Sequence, residues 1–192
     1  MKEYANNNLN NFIAGWYIDP VLCKDIVEKG ETQVDKFISW TPWYQHYDLK
    51  EFDAALCSRY EDMLYQTIEA YKELYPLCYQ QLQPWGWTAP RIQRYNPGQY
   101  FDKAHCENDG TSGTVYRHFA YMTYLNDVSY GGGTEFLNQN ITTPAETGLT
   151  LIWPAQWTHF HRGIVAPKEV KYIITGWLCF QHETMPAIQR IS

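Results

Sequence analysis

The chain has 192 residues, 45% of them hydrophobic, which is enough for one compact domain with a sizeable core. A formal charge of −6 and a pI near 5.5 argue against sequence-independent binding to phosphate backbones, which needs clustered Lys and Arg; a local basic patch stays open, but no nucleic-acid partner is expected. Five scattered cysteines, Cys23, Cys57, Cys78, Cys106 and Cys179, without a CxxC pair, argue against a disulfide framework or zinc knuckle and favour a reducing compartment.

The opening residues, MKEYANNNLN, contain no apolar run, and no stretch of chain has bilayer-spanning length. A cytoplasmic protein without a membrane partner is therefore expected, in the host cytoplasm if the source is viral. Asp19 and Pro20 read as an N-cap and first helical residue, with the helix running through Glu28 and Gly30 as its stop. From Asp48 to about Tyr75, apolar residues from Phe52 to Tyr75 recur at three- and four-residue spacings and predict a long amphipathic helix ended by Pro76. Its other face carries Asp and Glu at least as often as Lys and Arg, so the stripe should pack on a sheet and not on a membrane.

After Pro84 the texture changes to β-branched and aromatic runs, Ala89 to Tyr95, Thr114 to Leu125, Leu149 to Trp153 and Glu169 to Phe180. Turn signals separate them at Asn96-Pro97-Gly98, Asn108-Asp109-Gly110 and Gly131 to Gly133. The expectation is a single α+β, mainly β domain: helical support over 1–83, an antiparallel β core over 84–181 and a tail over 182–192. An aromatic content of 17% suits the half-buried walls of a β-rich pocket. The Asn140 sequon needs no functional reading in a chain without an export signal.

A catalytic iron(II) site needs two imidazoles and one carboxylate on one face of the metal, leaving positions open for a chelating cosubstrate and oxygen. In an extended strand, residues two apart point the same way, so His105 and Glu107 could donate together. The chain holds a rival pair, His46 and Asp48. It sits before the long helix, away from the strand runs, and Asp48 reads better as that helix's N-cap. The third ligand must come from elsewhere, and alternation alone does not separate His159 from His161. Lys171, Ile173, Thr175 and Trp177 share one strand face, so the Lys171 ammonium should enter the cavity, where it would need an anion.

Seven segments stand in order along the chain: YNPG at Tyr95, HCE at His105, RHFAYMTYLND from Arg117, GGGTEF from Gly131, LTLIWPA from Leu149, HFHRG from His159 and KYIITGW from Lys171. From Arg91 to Phe180 they resemble the prolyl-4-hydroxylase-like branch of the iron(II) and 2-oxoglutarate dependent oxygenases, most closely its small stand-alone bacterial and phage members. The resemblance implies a double-stranded β-helix, the jelly-roll of the cupins, with N-terminal supporting helices. It implies metal ligands His105, Glu107 and His161, the last chosen over His159 because the family's Lys or Arg follows about ten residues later, here Lys171. That lysine would pair with the remote carboxylate of 2-oxoglutarate. Tyr124 matches a tyrosine whose hydroxyl bonds the same carboxylate, although a half-buried core tyrosine would look alike. Tyr95 and Trp177 match residues of the pocket wall, and either could be core. Arg117 matches an arginine near the substrate channel, but strand alternation sets it opposite Tyr124 unless a bulge intervenes.

The implied activity is hydroxylation of an unactivated C–H bond, of a prolyl or other peptide or protein residue or of a small molecule. Iron(II), 2-oxoglutarate and oxygen would be consumed or used, ascorbate would be a supporting reductant, and succinate and carbon dioxide would be released. A carboxylate ligand speaks against halogenation. Glu107 departs from the aspartate usual in prolyl hydroxylases, which loosens the substrate analogy, and Asp109 would be a fallback on the same face. Two other classes fit the same residues: a non-catalytic cupin-like binding module, and a zinc-dependent hydrolase using the same ligands with activated water, in which Lys171 has no task.

Overall fold

Asp19 caps the first helix through the backbone N–H of Val21, and Pro20 follows at the first helical position, where a missing N–H costs nothing. The structure is a computed structural model that describes the chain except residues 6, 9, 41–42, 81, 83–84, 102, 182–188 and 191–192. In chain order come β1 (Lys2–Glu3), β2 (Ala14–Tyr17), α1 (Pro20–Thr32), β3 (Ile38–Trp40), β4 (Tyr44–Asp48), α2 (Leu49–Phe52), α3 (Ala54–Leu74) and β5 (Trp85–Trp87). The rest is strand: β6 (Arg91–Tyr95), β7 (Arg117–Tyr124), β8 (Thr134–Phe136), β9 (Ile141–Thr143), β10 (Leu149–Pro154), β11 (His161–Gly163), β12 (Lys171–Phe180) and β13 (Gln189–Arg190).

All pairings between these strands are antiparallel. The larger sheet runs β1-β2-β10-β7-β12-β6-β4-β3, with β5 and β13 off the main path, and the smaller runs β11-β8-β9. Together they form the expected double-stranded β-helix. Alternation along the strands sorts the core into two layers. Ile92, Phe119, Tyr121, Ile152, Ile174 and Leu178 pack against Leu22, Ile26, Tyr60, Leu64 and Ile68 of the helices. Tyr95, Ala120, Met122, Leu151, Trp153 and Ile173 face the other way and meet Phe136 of the smaller sheet.

Three expectations change. The helix passes through Gly30 to Thr32; a Cβ at Gly30 would lie 3.1 Å from the Tyr172 ring, so the glycine serves packing and does not stop the helix. The long stripe breaks at Asp53, which adopts an extended backbone and caps α3 just as Asp48 caps α2, while Lys29 pairs with it. The first part of the chain also contributes strands, and His46 lies on β4, paired with Gln93 of β6, not apart from the sheet. Of the predicted tail, 182–188 and 191–192 lie outside the described residues, as does the Pro84 boundary, while Gln189–Arg190 adds a strand beside β5.

Gly176 shows how tightly the two layers constrain the backbone. A Cβ there would lie 2.2 Å from the hydroxyl of Tyr121 and 2.4 Å from its Cζ, and that hydroxyl donates to the Thr88 carbonyl at 2.9 Å. Gly176→Ala is expected to cost about 2 to 3 kcal/mol, as overpacking does. Tyr121→Phe should not rescue it, because the ring itself is in the way. Denaturant unfolding of both variants checks this, and an unchanged midpoint for Gly176→Ala would contradict it.

Candidate active site

The two sheets enclose a cavity of about 250 Å³. On its wall the Nε2 atoms of His105 and His161 lie 3.5 and 3.4 Å from Oε1 of Glu107. One donor atom from each of the three residues falls within 4.8 Å of the others, the sole such group of His, Cys, Asp or Glu among the described residues. The placement comes from the backbone. His105 and His161 form an isolated bridge, each N–H donating to the other's carbonyl at 3.0 and 2.9 Å. Glu107 follows in a bend, so it reaches the pair across a turn and not by the strand alternation expected of it.

Each imidazole is also oriented from behind. Nδ1 of His105 lies 2.8 Å from the Lys103 carbonyl, and Nδ1 of His161 lies 2.9 Å from the His159 carbonyl. A carbonyl only accepts, so both Nδ1 atoms carry a proton and both Nε2 atoms face Oε1 of Glu107, donating to it when protonated and free for a metal when not. Burial works against charge on Glu107, but hydrogen bonds from His105 and His161 outweigh it and hold the carboxyl well below its usual range. Burial opposes charge on His105 as well, and the Glu107 bond more than compensates, raising its pKa.

His159 is not part of this group. Its Nε2 is 2.8 Å from the Asn11 carbonyl and its Nδ1 2.9 Å from the Thr158 hydroxyl, so the ring ties the N-terminal segment to the smaller sheet's margin. Asp109 serves its own turn, its Oδ1 accepting from Thr111 and Thr114, and it lies outside the metal-ligand group. His46 lies near the cavity residue Tyr44, with ring centroids 6.2 Å apart, but outside the metal-ligand group.

Lys171, Ile173, Thr175 and Trp177 all line the cavity, along with Arg91, Gln93 and Tyr95 of the neighbouring strand. Lys171 is 4% exposed; its Nζ donates to the Gly132 carbonyl at 3.1 Å and stands 4.5 Å from the centroid of the Tyr95 ring. No carboxylate pairs with it among the described residues, and burial pushes its pKa down to about 8. The three glycines that supply the accepting carbonyl are forced: a Cβ at Gly131 would meet Val165 O at 2.0 Å, and one at Gly133 would meet Thr143 O at 1.9 Å.

Tyr124 corrects its expectation. It faces the predicted way but is fully buried behind the wall, its hydroxyl bonded to Thr134 at 2.8 Å and Thr143 at 3.1 Å. Thr134, not Tyr124, lines the cavity. Arg117 moves in the opposite direction. The register slips where Phe119 pairs with Leu178 and Arg117 with Cys179, so His118 is the extra residue of a bulge. His118 turns to the Cys78 carbonyl and the Phe180 ring, while Arg117 swings to the site. Sequence reasoning missed Thr134, Tyr44 and Gln93. Gln93 was legible from its alternation with Tyr95, but Tyr44 depended on a strand not foreseen.

The donor set suits a divalent metal: two imidazoles and a carboxylate on one side, with aromatic residues packed around them. Trp153 and Phe136 stand 5.1 and 5.6 Å from the His161 ring, and Phe101 4.8 Å from that of His105. The cavity wall also holds the buried ammonium of Lys171, without a carboxylate partner among the described residues, which suits an anionic cosubstrate.

Residues 90–179 match the family model of the 2OG-Fe(II) oxygenase superfamily. No curated protein matches the chain by sequence. By structure it is similar to the viral collagen prolyl hydroxylase of Paramecium bursaria Chlorella virus-1 in its 2OG complex, with a TM-score of 0.70 and 13% identity over 90% of this chain and 97% of that one. It is also similar to a prolyl-4-hydroxylase of Pseudomonas putida (TM-score 0.68, 12% identity, 90% and 94% covered). A prolyl hydroxylase of Trichoplax adhaerens, solved with a hypoxia inducible factor peptide fragment, gives 0.69 at 15% identity, with 90% and 87% covered. At these identities the likeness is one of fold.

Proposed function

With residues 90–179 belonging to the 2OG-Fe(II) oxygenase superfamily, we propose that the chain hydroxylates an unactivated C–H bond of a prolyl or other peptide residue, releasing succinate and carbon dioxide. The observation that carries this reading is the pairing, in one cavity, of the His105, Glu107 and His161 donors with the buried ammonium of Lys171. Iron(II) held by the three ligands would supply the oxidation of the C–H bond by oxygen, coupled to decarboxylation of 2-oxoglutarate.

The residues of the chain do the rest. Burial falls along β12, from Lys171 and Ile173, both buried, to Thr175 and Trp177, both part-exposed. The inner end therefore suits the cosubstrate's remote carboxylate, held by Lys171 beside the Thr134 hydroxyl that Tyr124 orients. The outer end, with exposed Arg91 and part-exposed Tyr44, suits the substrate. At about 250 Å³ the cavity is small beside the ~300–1,000 Å³ of drug-sized pockets, so it fits a small diacid and one substrate side chain, with the rest of a peptide outside. Trp153, Met122 and Ile173 keep water from the inner end.

The test is incubation of purified protein with iron(II), 2-oxoglutarate, ascorbate and panels of proline-containing peptides, other peptides and metabolites. Succinate formation with one oxygen atom added to a substrate is the expected result. Absence of both turnover and metal-dependent 2-oxoglutarate binding would refute the proposal, and activity with zinc in place of iron would point to hydrolysis.

A further inference from the structure

Glu107 is one methylene longer than an aspartate, and its second oxygen is not free. Trp177 donates from Nε1 to Oε2 at 2.6 Å, and Arg117 reaches the same oxygen from its NH1 nitrogen at 3.4 Å. That nitrogen also donates to the Glu107 carbonyl at 3.0 Å, while the guanidinium carbon lies 3.7 Å from the centroid of the Trp177 ring. Oxygen Oε1, by contrast, faces both histidine Nε2 atoms. The side chain is 12% exposed, so water has little access to relieve either oxygen.

Resting on the iron-site reading above, we propose that Trp177 and Arg117 are positioning residues that clamp Oε2 of Glu107, so that the longer carboxylate offers the metal a single oxygen, Oε1. A flexible glutamate has an additional rotatable bond and two equivalent oxygens, and would otherwise sample several arrangements. Two donors from one side remove that freedom, and the stacked guanidinium and indole hold each other in place. The clamp depends on the bulge at His118, since regular alternation would send Arg117 to the helical layer. It also makes the glutamate specific: from the same backbone position an aspartate cannot both reach the indole N–H and present an oxygen to the histidines.

The experiment is anaerobic titration of the metal-free protein with iron(II), together with the visible spectrum of the cobalt(II) form, for the wild type, Trp177→Phe, Arg117→Met and Glu107→Asp. Trp177→Phe keeps the ring on which Arg117 stacks and removes only the N–H. The clamp predicts about a tenfold to hundredfold loss of iron(II) affinity in Trp177→Phe, as for other outer-sphere partners. It predicts a smaller loss in Arg117→Met and a changed cobalt spectrum in both, with Glu107→Asp unable to restore wild-type affinity. Arg117→Met serves independently should Trp177→Phe not fold, which melting curves will show. Wild-type affinity and an unchanged cobalt spectrum in the folded variants would overturn the clamp while leaving the iron site standing. Failure of the wild type to bind iron(II) would overturn both.

Discussion

Lys171→Met is expected to make the metal-free protein more stable and to deprive it of 2-oxoglutarate. The ammonium is 4% exposed and has a carbonyl and an aromatic face for company, but no carboxylate among the described residues. Burial lowers its pKa from 10.5 to about 8. The folded state thus holds this proton less tightly than the unfolded chain does. Below about pH 8 the folded protein carries the whole penalty, and from there to 10.5 the penalty is relieved, so stability rises with pH across that window. The penalty is on the order of a few kcal/mol, and an apolar side chain of similar length removes it. At roughly 2–4 °C per kcal/mol for a chain of this size, the variant should melt several degrees higher near neutral pH. The wild type should approach it as pH rises. With metal and 2-oxoglutarate present the order reverses, because ligand binding stabilises only the protein that binds. Losing one partner of a buried charge pair should weaken 2-oxoglutarate by about a hundredfold or more. Calorimetric melts across this pH range, with and without cosubstrate, measure both effects. A variant less stable than wild type at every pH, or one that binds 2-oxoglutarate normally, would refute the argument.

How much of this could be read from the sequence depended on the kind of constraint. Strand alternation is local, and it correctly placed Lys171, Ile173, Thr175 and Trp177 on one cavity face. Caps are local too, and Asp19 and Asp48 behave as their neighbours imply. Gly30 misled because its reason lies in the ring of Tyr172, which no helix signal encodes. The strand β4 was hidden because its pairing with β6 joins residues 43 to 49 positions apart, and the stretch YQHYD has no strong period of its own. Tyr124 and Arg117 were each left with two readings, and packing chose between them for opposite reasons. Tyr124 has the right direction but the wrong depth, since Thr134 from another sheet stands in front of it. Arg117 has the wrong parity until one extra residue, His118, enters the ladder. A bulge of that kind is decided by tertiary packing, here by the fit of His118 between Trp85, Phe119 and Phe180.

Removing either histidine at positions 159 and 161 separates the two roles that the sequence could not. His161→Ala is expected to lower iron(II) affinity by well over the ~10–100-fold that outer partners contribute, since a ligand atom itself is lost. His159→Ala should leave affinity nearly unchanged, because its ring nitrogens are taken by the Asn11 carbonyl and the Thr158 hydroxyl. The backbone carbonyl that orients His161 is retained in that variant. The pH dependence of metal binding follows from the same group. In the metal-free protein Glu107 is lowered and His105 raised, each chiefly through the other against the opposing effect of burial. The Glu107 contribution to stability is therefore present above its ordinary 4.5 and lost on acidification through its lowered value, whereas the His105 contribution is present below 6.5 and lost as pH rises through its raised value. The metal must displace the proton that His105 holds on Nε2. Iron(II) affinity should accordingly rise with pH through a midpoint above 6.5 and then level off, while the stability of the metal-free protein falls over the same interval. Glu107→Gln should move both trends to lower pH, since the chief influence that raises the imidazole is lost while burial still lowers it. Titrations of iron(II) into wild type, His159→Ala, His161→Ala and Glu107→Gln across that range decide the matter. Normal affinity in His161→Ala, or loss of it in folded His159→Ala, would exchange the two histidines and overturn the assignment of the site.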